Sequence, residues 1–422
     1  MIYVFKFGGA SVKDASGVQN LSKIVALNKD KRLLIVVSAM GKTTNALEKL
    51  ATAHFNRSEE TYPLFANIKE YHHQLLTDLF EDSNHPIFDQ IANTFVEIDW
   101  ILEDEPHPDY NFNYDQIVPI GELVSTRIVS AYLTHIGLKN QWIDARDYIQ
   151  TDNTYREGIV DWEKTSHHIQ TNLIPLLKNQ IAITQGFIGG TSENFTTTLG
   201  REGSDYTASI FASCLKAESV TIWKDVPGVL NADPKLFGNT QKYDELSYSE
   251  ALEMTYYGAS VIHPKTIKPL QNASIPLLVK PFLNPQETGT VIKNIPHTHD
   301  IEPAIIVKKD QVLISLSTKD FSFITEDHLS AIFGFFADAR IKINMMQISA
   351  LSFSVCFDWD DFRFNKLNSL LQDHFKIKYN TALELITVRH FKNDLINQLS
   401  SGKKILMEQL SRNTAQMVLK DA

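Results

Sequence analysis

The sequence predicts an α/β fold built on a mainly parallel sheet, followed by a smaller α+β region. Three observations carry that prediction. From Ile2 to about Ile292, short apolar, β-rich runs alternate with amphipathic stretches, the pattern of parallel βαβ units. Around KNIPHTHDIEP the periodicity stops and prolines intervene, which reads as a linker. Beyond it the elements follow the order βαββαβ, the ferredoxin-like plan.

Taken in order, the first region (1–292) offers the strands YVFKF, RLLIVVSAM, QWIDA, IAITQGFIG, SVTIWKDV and IPLLVKPF. Between the first two, Val18, Leu21, Ile24 and Val25 recur at helical spacing. Residues 46–114 break the alternation: they are helical in pattern, rich in Glu, Asp and His, and end in the loop-like EDEPHPDYNFN. This segment reads as a helical insertion over the sheet's edge, either a lid or inert packing. After the linker (293–302), the region 303–422 opens with strands AIIVKK and QVLISLST and a helix around Leu329 to Ala339. Strands near INMMQIS and LSFSVCFD, a helix near Phe364 to His374 and a strand near IKYNT come next. A further βαβ is expected in LELITVRHF, DLINQLSSGKKILMEQL and NTAQMVLKD.

Composition narrows the function classes. The 422 residues, 43% hydrophobic and 21% charged, suit a soluble globular chain of about two or three domains. A formal charge of −10 argues against nucleic-acid and anionic-membrane partners. Cys214 and Cys356 stand far apart, so neither a disulfide framework nor a zinc cluster is suggested. No long apolar run is present, the opening MIYVFKF is too short for a secretory signal, and a cytoplasmic location is expected.

Five groups of residues carry candidate chemistry. Lys6-Phe7-Gly8-Gly9-Ala10-Ser11 puts a lysine at a strand end before paired glycines that open a helix. That combination suits a phosphate, although a plain strand-to-helix turn would look the same. Ser38 to Asn45 places hydroxyls at the C-terminal end of a parallel strand, where Thr43 and Thr44 would equally serve as helix caps. Glu122, in a first helical turn, reads on its own as a partner of the helix dipole. Leu199 to Ala208 is the densest cluster, joining Arg201, Ser204 and Asp205 to two glycines ahead of an apolar helix, with a solvated loop as the bland alternative. Lys224-Asp225 and Asp233-Pro234-Lys235 add charge at the same sheet edge, or mark two ordinary turns.

KFGGAS, VVSAMGKTTNAL, GELVSTR, DARDYIQTD, GREGSDYTA, WKDVPGVLNADPK and GASVIHPKTI, in this order, resemble the aspartate kinases of the amino-acid kinase superfamily. The region after the linker resembles their ACT regulatory part. The resemblance implies an αβα sandwich with a mainly parallel sheet, then an ACT region whose second unit ends early, after βαβ. It implies ATP-dependent phosphorylation of L-aspartate, with Mg²⁺, opening the aspartate-derived route to lysine, threonine and methionine. Lys6, Gly8 and Gly9 would meet the transferring phosphate, and Asp205 would organise the charges. Ser38, Thr44, Glu122 and Arg201 would hold aspartate; Lys224, Asp225, Leu230 and Lys235 would hold ATP. No metal ligand is assigned. Asp320, Phe321, Phe323, Ile324, Asp338, Asn344 and Met345 would lie near an effector pocket for lysine or threonine, with pairing of ACT modules giving a homodimer or higher oligomer. Four positions depart from the commonest pattern: Ala10, Glu202, Lys224 and Ser260. The last stands where a nucleotide-contacting lysine is frequent, so that Lys265, Lys280 or no residue at all takes over that contact.

The chemistry agrees. Aspartate's side-chain carboxylate, with a pKa of about 3.9, is already ionised at neutral pH, so no general base is required. Two other readings compete: a kinase for another small carboxylate, and a catalytically inactive amino-acid sensor. Loss of Lys6, Arg201 or Asp205 would mark the latter, and all three are present. An appended homoserine dehydrogenase is not expected, because no GxGxxG-bearing domain remains.

Overall fold

The structure, a computed structural model, describes residues 1–259, 262–295 and 301–421. The chain divides into two compact units. One takes in Met1–Val229, Lys242–Leu252 and Val261–Pro296; the other takes in Leu230–Gln241, Glu253–Ser260 and His297–Ala422.

The first unit contains strands β1 (Ile2–Phe7), β2 (Arg32–Val37), β3 (Asn140–Trp142), β4 (Ile181–Gln185), β5 (Ile188–Gly190) and β6 (Thr196–Thr198). It continues with β7 (Ser219–Lys224), β8 (Glu245–Ser247), β9 (Leu277–Pro281) and β10 (Thr290–Lys293). Eight of these form one sheet in the order β3-β4-β2-β1-β7-β9-β10-β8, and only the β9–β10 pair is antiparallel. β1 therefore lies inside the sheet, with Lys6 in register with Val36 on one side and Ile222 on the other. The carboxyl ends of β1, β2 and β7 consequently open onto one edge, the usual ligand edge of a parallel sheet.

Central strands are apolar without alternation because both faces are covered: Leu33 to Val37 are all fully buried. The Ala15–Ala26 helix is capped by the Asp14 carboxylate, which accepts from the Gly17 N–H at 2.8 Å, and buries Val18, Leu21, Ile24 and Val25 against the sheet. IAITQGFIG proves to be two strands, β4 and β5, separated at Gly186-Phe187. Phe187 adopts a left-handed backbone (φ 73°) that no strand continues through.

The insertion consists of the helices Thr43–Phe55, Thr61–Leu79, Ile87–Glu103 and Tyr110–Ile117. Phe65, Ile68, Leu75, Ile91, Phe95 and Ile98 belong to the same apolar core as Phe5, Phe7 and Val37, so the segment is packed rather than detached. Its tail is not all loop. YNFN is helical because the Asp109 side chain caps the Asn111 N–H.

The second unit carries β11 (Ala304–Thr318), β12 (Ile343–Ile348), β13 (Phe353–Asp358), β14 (Phe375–Arg389), β15 (Lys403–Leu410) and β16 (Thr414–Asp421). They form an antiparallel sheet in the order β12-β13-β11-β14-β16-β15. Helices Glu326–Asp338 and Asp361–Leu371 complete the expected βαββαβ. Val312, Ile314, Leu316, Ile332, Phe336, Phe357 and Leu367 form its first core.

Two differences from the expected pattern have local causes. AIIVKK and QVLISLST are one strand, β11, because a bulge with Asp310 at φ 54° absorbs the polar Lys308-Lys309-Asp310 interruption. DLINQLSSGKKILMEQL is not one helix. The helix Asn393–Ser400 stops before Gly402 (φ 74°), and β15 then pairs with β16, so the closing pattern is βαββ. Among the described residues, no helix is long and apolar enough to cross a membrane.

Candidate active site

The end of β1 delivers Lys6 to the carboxyl edge of the sheet, where it is only 8% exposed. Its ammonium lies 2.6 Å from Asp205 Oδ1. Lys224, at the end of β7, brings a second ammonium to 3.7 Å from Asp205 Oδ2. Burial alone would lift the Asp205 pKa, but Lys6 and then Lys224 outweigh it and hold the carboxyl below its ordinary range. The cluster thus carries two cations and one anion at the start of the Gly203–Leu215 helix, whose first-turn N–H groups add positive potential. Phe7 stacks on Trp223 at 6.1 Å between centroids, locking the two lysine-bearing strand ends together.

Two glycines permit these approaches. A Cβ on Gly9 would meet the Ala39 carbonyl at 2.6 Å and the Gly41 carbonyl at 2.9 Å, so only glycine lets this turn lie against the loop after β2. A Cβ on Gly186 would stand 2.4 Å from Ser204 Cβ, so glycine is equally required where β4 meets the Asp205 helix. Sequence reasoning alone misses Gly186 as a site residue. Its signal is the Gln-Gly-Phe at the end of a buried strand.

Glu122 sits in the first turn of the Ile120–His135 helix and is 2% exposed. Its Oε1 accepts from the Ala39 N–H at 3.2 Å, while Oε2 is buried and has no hydrogen-bond partner among the described residues. Burial is the chief cause that pushes this carboxyl up to about 8, although Lys6 pulls the other way. An unpartnered, buried carboxylate oxygen beside a cationic cluster suits an incoming ammonium group. The Ser125 hydroxyl donates to the Ser38 carbonyl at 2.7 Å, fastening the same helix to the loop after β2. Ser38 and Thr44, both half-buried, lie on that loop and in the first turn of the following helix, so Ser38, Thr44 and Glu122 share one neighbourhood. Arg201 is exposed in the turn ahead of the Gly203–Leu215 helix, followed by Glu202 in a left-handed backbone (φ 53°).

The other expected nucleotide residues follow β7 in the chain. Asp225 is exposed just past β7. Leu230 and Lys235 belong to the 230–241 segment of the second unit, where the Lys235 N–H donates to Asp233 Oδ1 at 2.9 Å. Ser260 lies outside the described residues. Of its two substitutes, Lys265 brings its ammonium beside Gly200. Lys280 points elsewhere: it donates to the Pro285 carbonyl at 3.0 Å and lies over the Trp223 ring. Among the described residues, no group of three or more His, Cys, Asp or Glu is arranged to hold a metal.

The effector candidates fall at two ends of one module. Asp320, Phe321, Phe323 and Ile324 occupy the loop after β11, where Phe321 is 78% exposed and the Ile324 N–H donates to the Ala350 carbonyl, past the far end of β12. Asn344 lies at the near end of β12, bonded to Lys308, Gln311 and Asp358, and Asp338 ends the preceding helix. Met345 is buried with Leu313, Cys356 and Leu385, so its side chain is core.

A model of the Amino acid kinase family matches residues 1–281. Lysine-sensitive aspartokinase 3 of Escherichia coli (strain K12) is 31% identical to this chain over 359 residues, covering 85% of this chain and 78% of that protein. The crystal structure of E. coli aspartokinase III in complex with aspartate and ADP (R-state) superposes with a TM-score of 0.83 at 26% identity, covering 99% of this chain and 96% of that one. The same enzyme in complex with lysine and aspartate (T-state) gives 0.82 at 27% identity, covering 99% and 95%.

Proposed function

Because this chain belongs to the amino acid kinase family, among its aspartokinases, we propose that the Lys6–Asp205–Lys224 cluster and Glu122 together transfer a phosphoryl group from ATP to L-aspartate. The reaction is ATP + L-aspartate → 4-phospho-L-aspartate + ADP. The observation that carries this reading is the pairing of the two sites: a two-lysine cluster for phosphate, and beside it a buried carboxylate with one oxygen left over.

The β-carboxylate oxygen of aspartate attacks the γ-phosphorus, and the bond to the β,γ-bridging oxygen breaks, with the electron pair leaving on ADP. Two anions must approach, so the task is electrostatic. Lys6 would face the transferring phosphoryl group while Asp205 fixes its ammonium, and Lys224 would add charge on the nucleotide side. Glu122 would take the α-ammonium and Arg201 the α-carboxylate, with Ser38 and Thr44 lining the amino-acid end. This set demands an α-amino acid and disfavours N-acetylated substrates, which lack the cation. Asp225, Leu230 and Lys235 would serve the nucleotide. Mg²⁺ would shield the phosphate charge.

By the same reading, 1–292 is the catalytic region and 303–422 the regulatory one, responsive to lysine or threonine and joined to a second copy through its ACT modules. The free thiols of Cys214 and Cys356 suit a reducing, cytoplasmic setting.

A coupled assay of ADP release with ATP and Mg²⁺ tests the reading, comparing L-aspartate with L-glutamate and N-acetyl-L-glutamate. Turnover confined to L-aspartate is expected, and turnover with N-acetyl-L-glutamate alone would reassign the substrate. Binding without turnover would favour an inactive sensor.

A further inference from the structure

The last inserted helix, Tyr110–Ile117, ends just ahead of the Ile120–His135 helix that carries Glu122. Its Asp115 is fully buried and accepts from the Arg156 N–H at 2.8 Å, the Thr198 N–H at 2.9 Å and the Thr198 hydroxyl at 2.7 Å. The neighbouring Gln116 grips the other end of β6, donating to the Thr196 carbonyl at 3.0 Å and accepting from its N–H at 3.4 Å. β6 then runs through Leu199 and Gly200 (φ 79°) into Arg201.

Asp115 thus binds two loops at once. Arg156 has a left-handed backbone (φ 69°), its carbonyl faces Gly200, and its guanidinium lies 4.4 Å above the Tyr114 ring. The Gly158 N–H in the same loop donates to the Thr198 carbonyl at 2.9 Å. Three donors converge on one side chain, both N–H groups on Oδ2 and the hydroxyl on Oδ1; an Asn would keep the two N–H bonds but turn the third around, its NH₂ donating to the Thr198 hydroxyl oxygen, and would remove the charge.

We propose that Asp115 is a positioning residue for amino-acid recognition, fixing the spacing between Glu122 and Arg201 so that one substrate molecule meets both. This rests on the aspartate-kinase reading above. The ammonium and the carboxylate of an α-amino acid share one carbon, so the two side chains that receive them tolerate little relative drift. Glu122 stands on a helix hooked to the end of β2, whereas Arg201 stands on an exposed turn. Asp115, with Gln116 beside it, ties the chain just ahead of the first to the strand just ahead of the second, and Asp115 alone of the two also holds the Arg156 loop. It gives the inserted helices a role beyond packing.

Steady-state kinetics on the full chain test this with Asp115→Asn, Thr198→Val, Thr198→Ser, Arg201→Ala and the double Asp115→Asn/Arg201→Ala. Asp115→Asn and Thr198→Val are expected to raise the aspartate KM about tenfold or more while the ATP KM stays within about twofold. Thr198→Ser, which keeps the hydroxyl, should stay near the parent value. In the Arg201→Ala background, Asp115→Asn should add less than about twofold, because its effect runs through the arginine. Aspartate and ATP KM rising together, or the Asp115 and Arg201 effects multiplying in full, would overturn the proposal. If Asp115→Asn does not fold, Thr198→Val decides. Failure of the unmutated chain to turn over aspartate would sink the functional reading instead, and is visible before any variant is made.

Discussion

Lys6, Asp205 and Lys224 form a chain of charge in which one buried carboxylate serves two cations, and Glu122 beside it keeps a lone oxygen. Replacing Lys6 with Ala should lower kcat by about a hundred- to a thousandfold, since a preorganised charge at the transferring group is removed. Circular dichroism should be unchanged. Glu122 gives a pH signature. Its carboxyl is raised to about 8 in the empty site, so below that pH aspartate binding must expel a proton. The aspartate KM should therefore fall as pH rises from about 6 to 8, by at most about tenfold per unit, and level off above. Glu122→Gln should raise the KM and flatten this limb; a limb unchanged in the variant would assign it to another group. These residues are legible in the sequence because each sits in a local motif at a strand end or helix start. Asp115 is not. Its partners lie 41 and 83 positions away, and a lone Asp between Tyr and Gln carries no spacing signal.

Elements are legible in proportion to how far burial dictates their composition. β1, β2, β4, β7 and β9 are apolar because both faces are covered, and each shows as an apolar run in the sequence. β8 and β10, three and four residues long, are too short to show a period. β15, KKILMEQL, consists of good helix formers, and only its pairing with β16 makes it a strand. Close packing between elements also sets a test. Gly186→Ala should cost about 1–3 kcal/mol by overpacking against Ser204 and should depress activity, because the Asp205 helix must shift to admit the methyl group. Urea denaturation with parallel kinetics measures both; an unchanged midpoint would show that the helix start yields freely.

For the whole molecule, the chain divides into two compact units, and the proposed reading assigns catalysis to 1–292 and amino-acid sensing to 303–422. Lysine or threonine, added at a hundred times its dissociation constant, should stabilise the responsive unit by about 2.7 kcal/mol. The resulting shift in thermal midpoint should survive in Lys6→Ala, whose turnover is expected to be much reduced. Loss of the shift in that variant would place the effector at the catalytic site. The second unit's βαββαβ order is legible from alternation alone, whereas the closing βαββ is not, since Gly402 breaks the helix without dictating that a strand comes after it.

The indole of Trp223 gives the protein a built-in optical gauge. It is buried, stacked on Phe7, and one residue ahead of Lys224, with no partner for its ring N–H among the described residues and the Lys280 ammonium overhead. Excited indole responds to nearby charge, so a nucleotide's phosphates arriving at Lys224 should shift its emission. Titrating the unlabelled enzyme with ADP in a fluorimeter, with Trp223→Phe as the blank, would then read occupancy directly, free of any coupling enzyme.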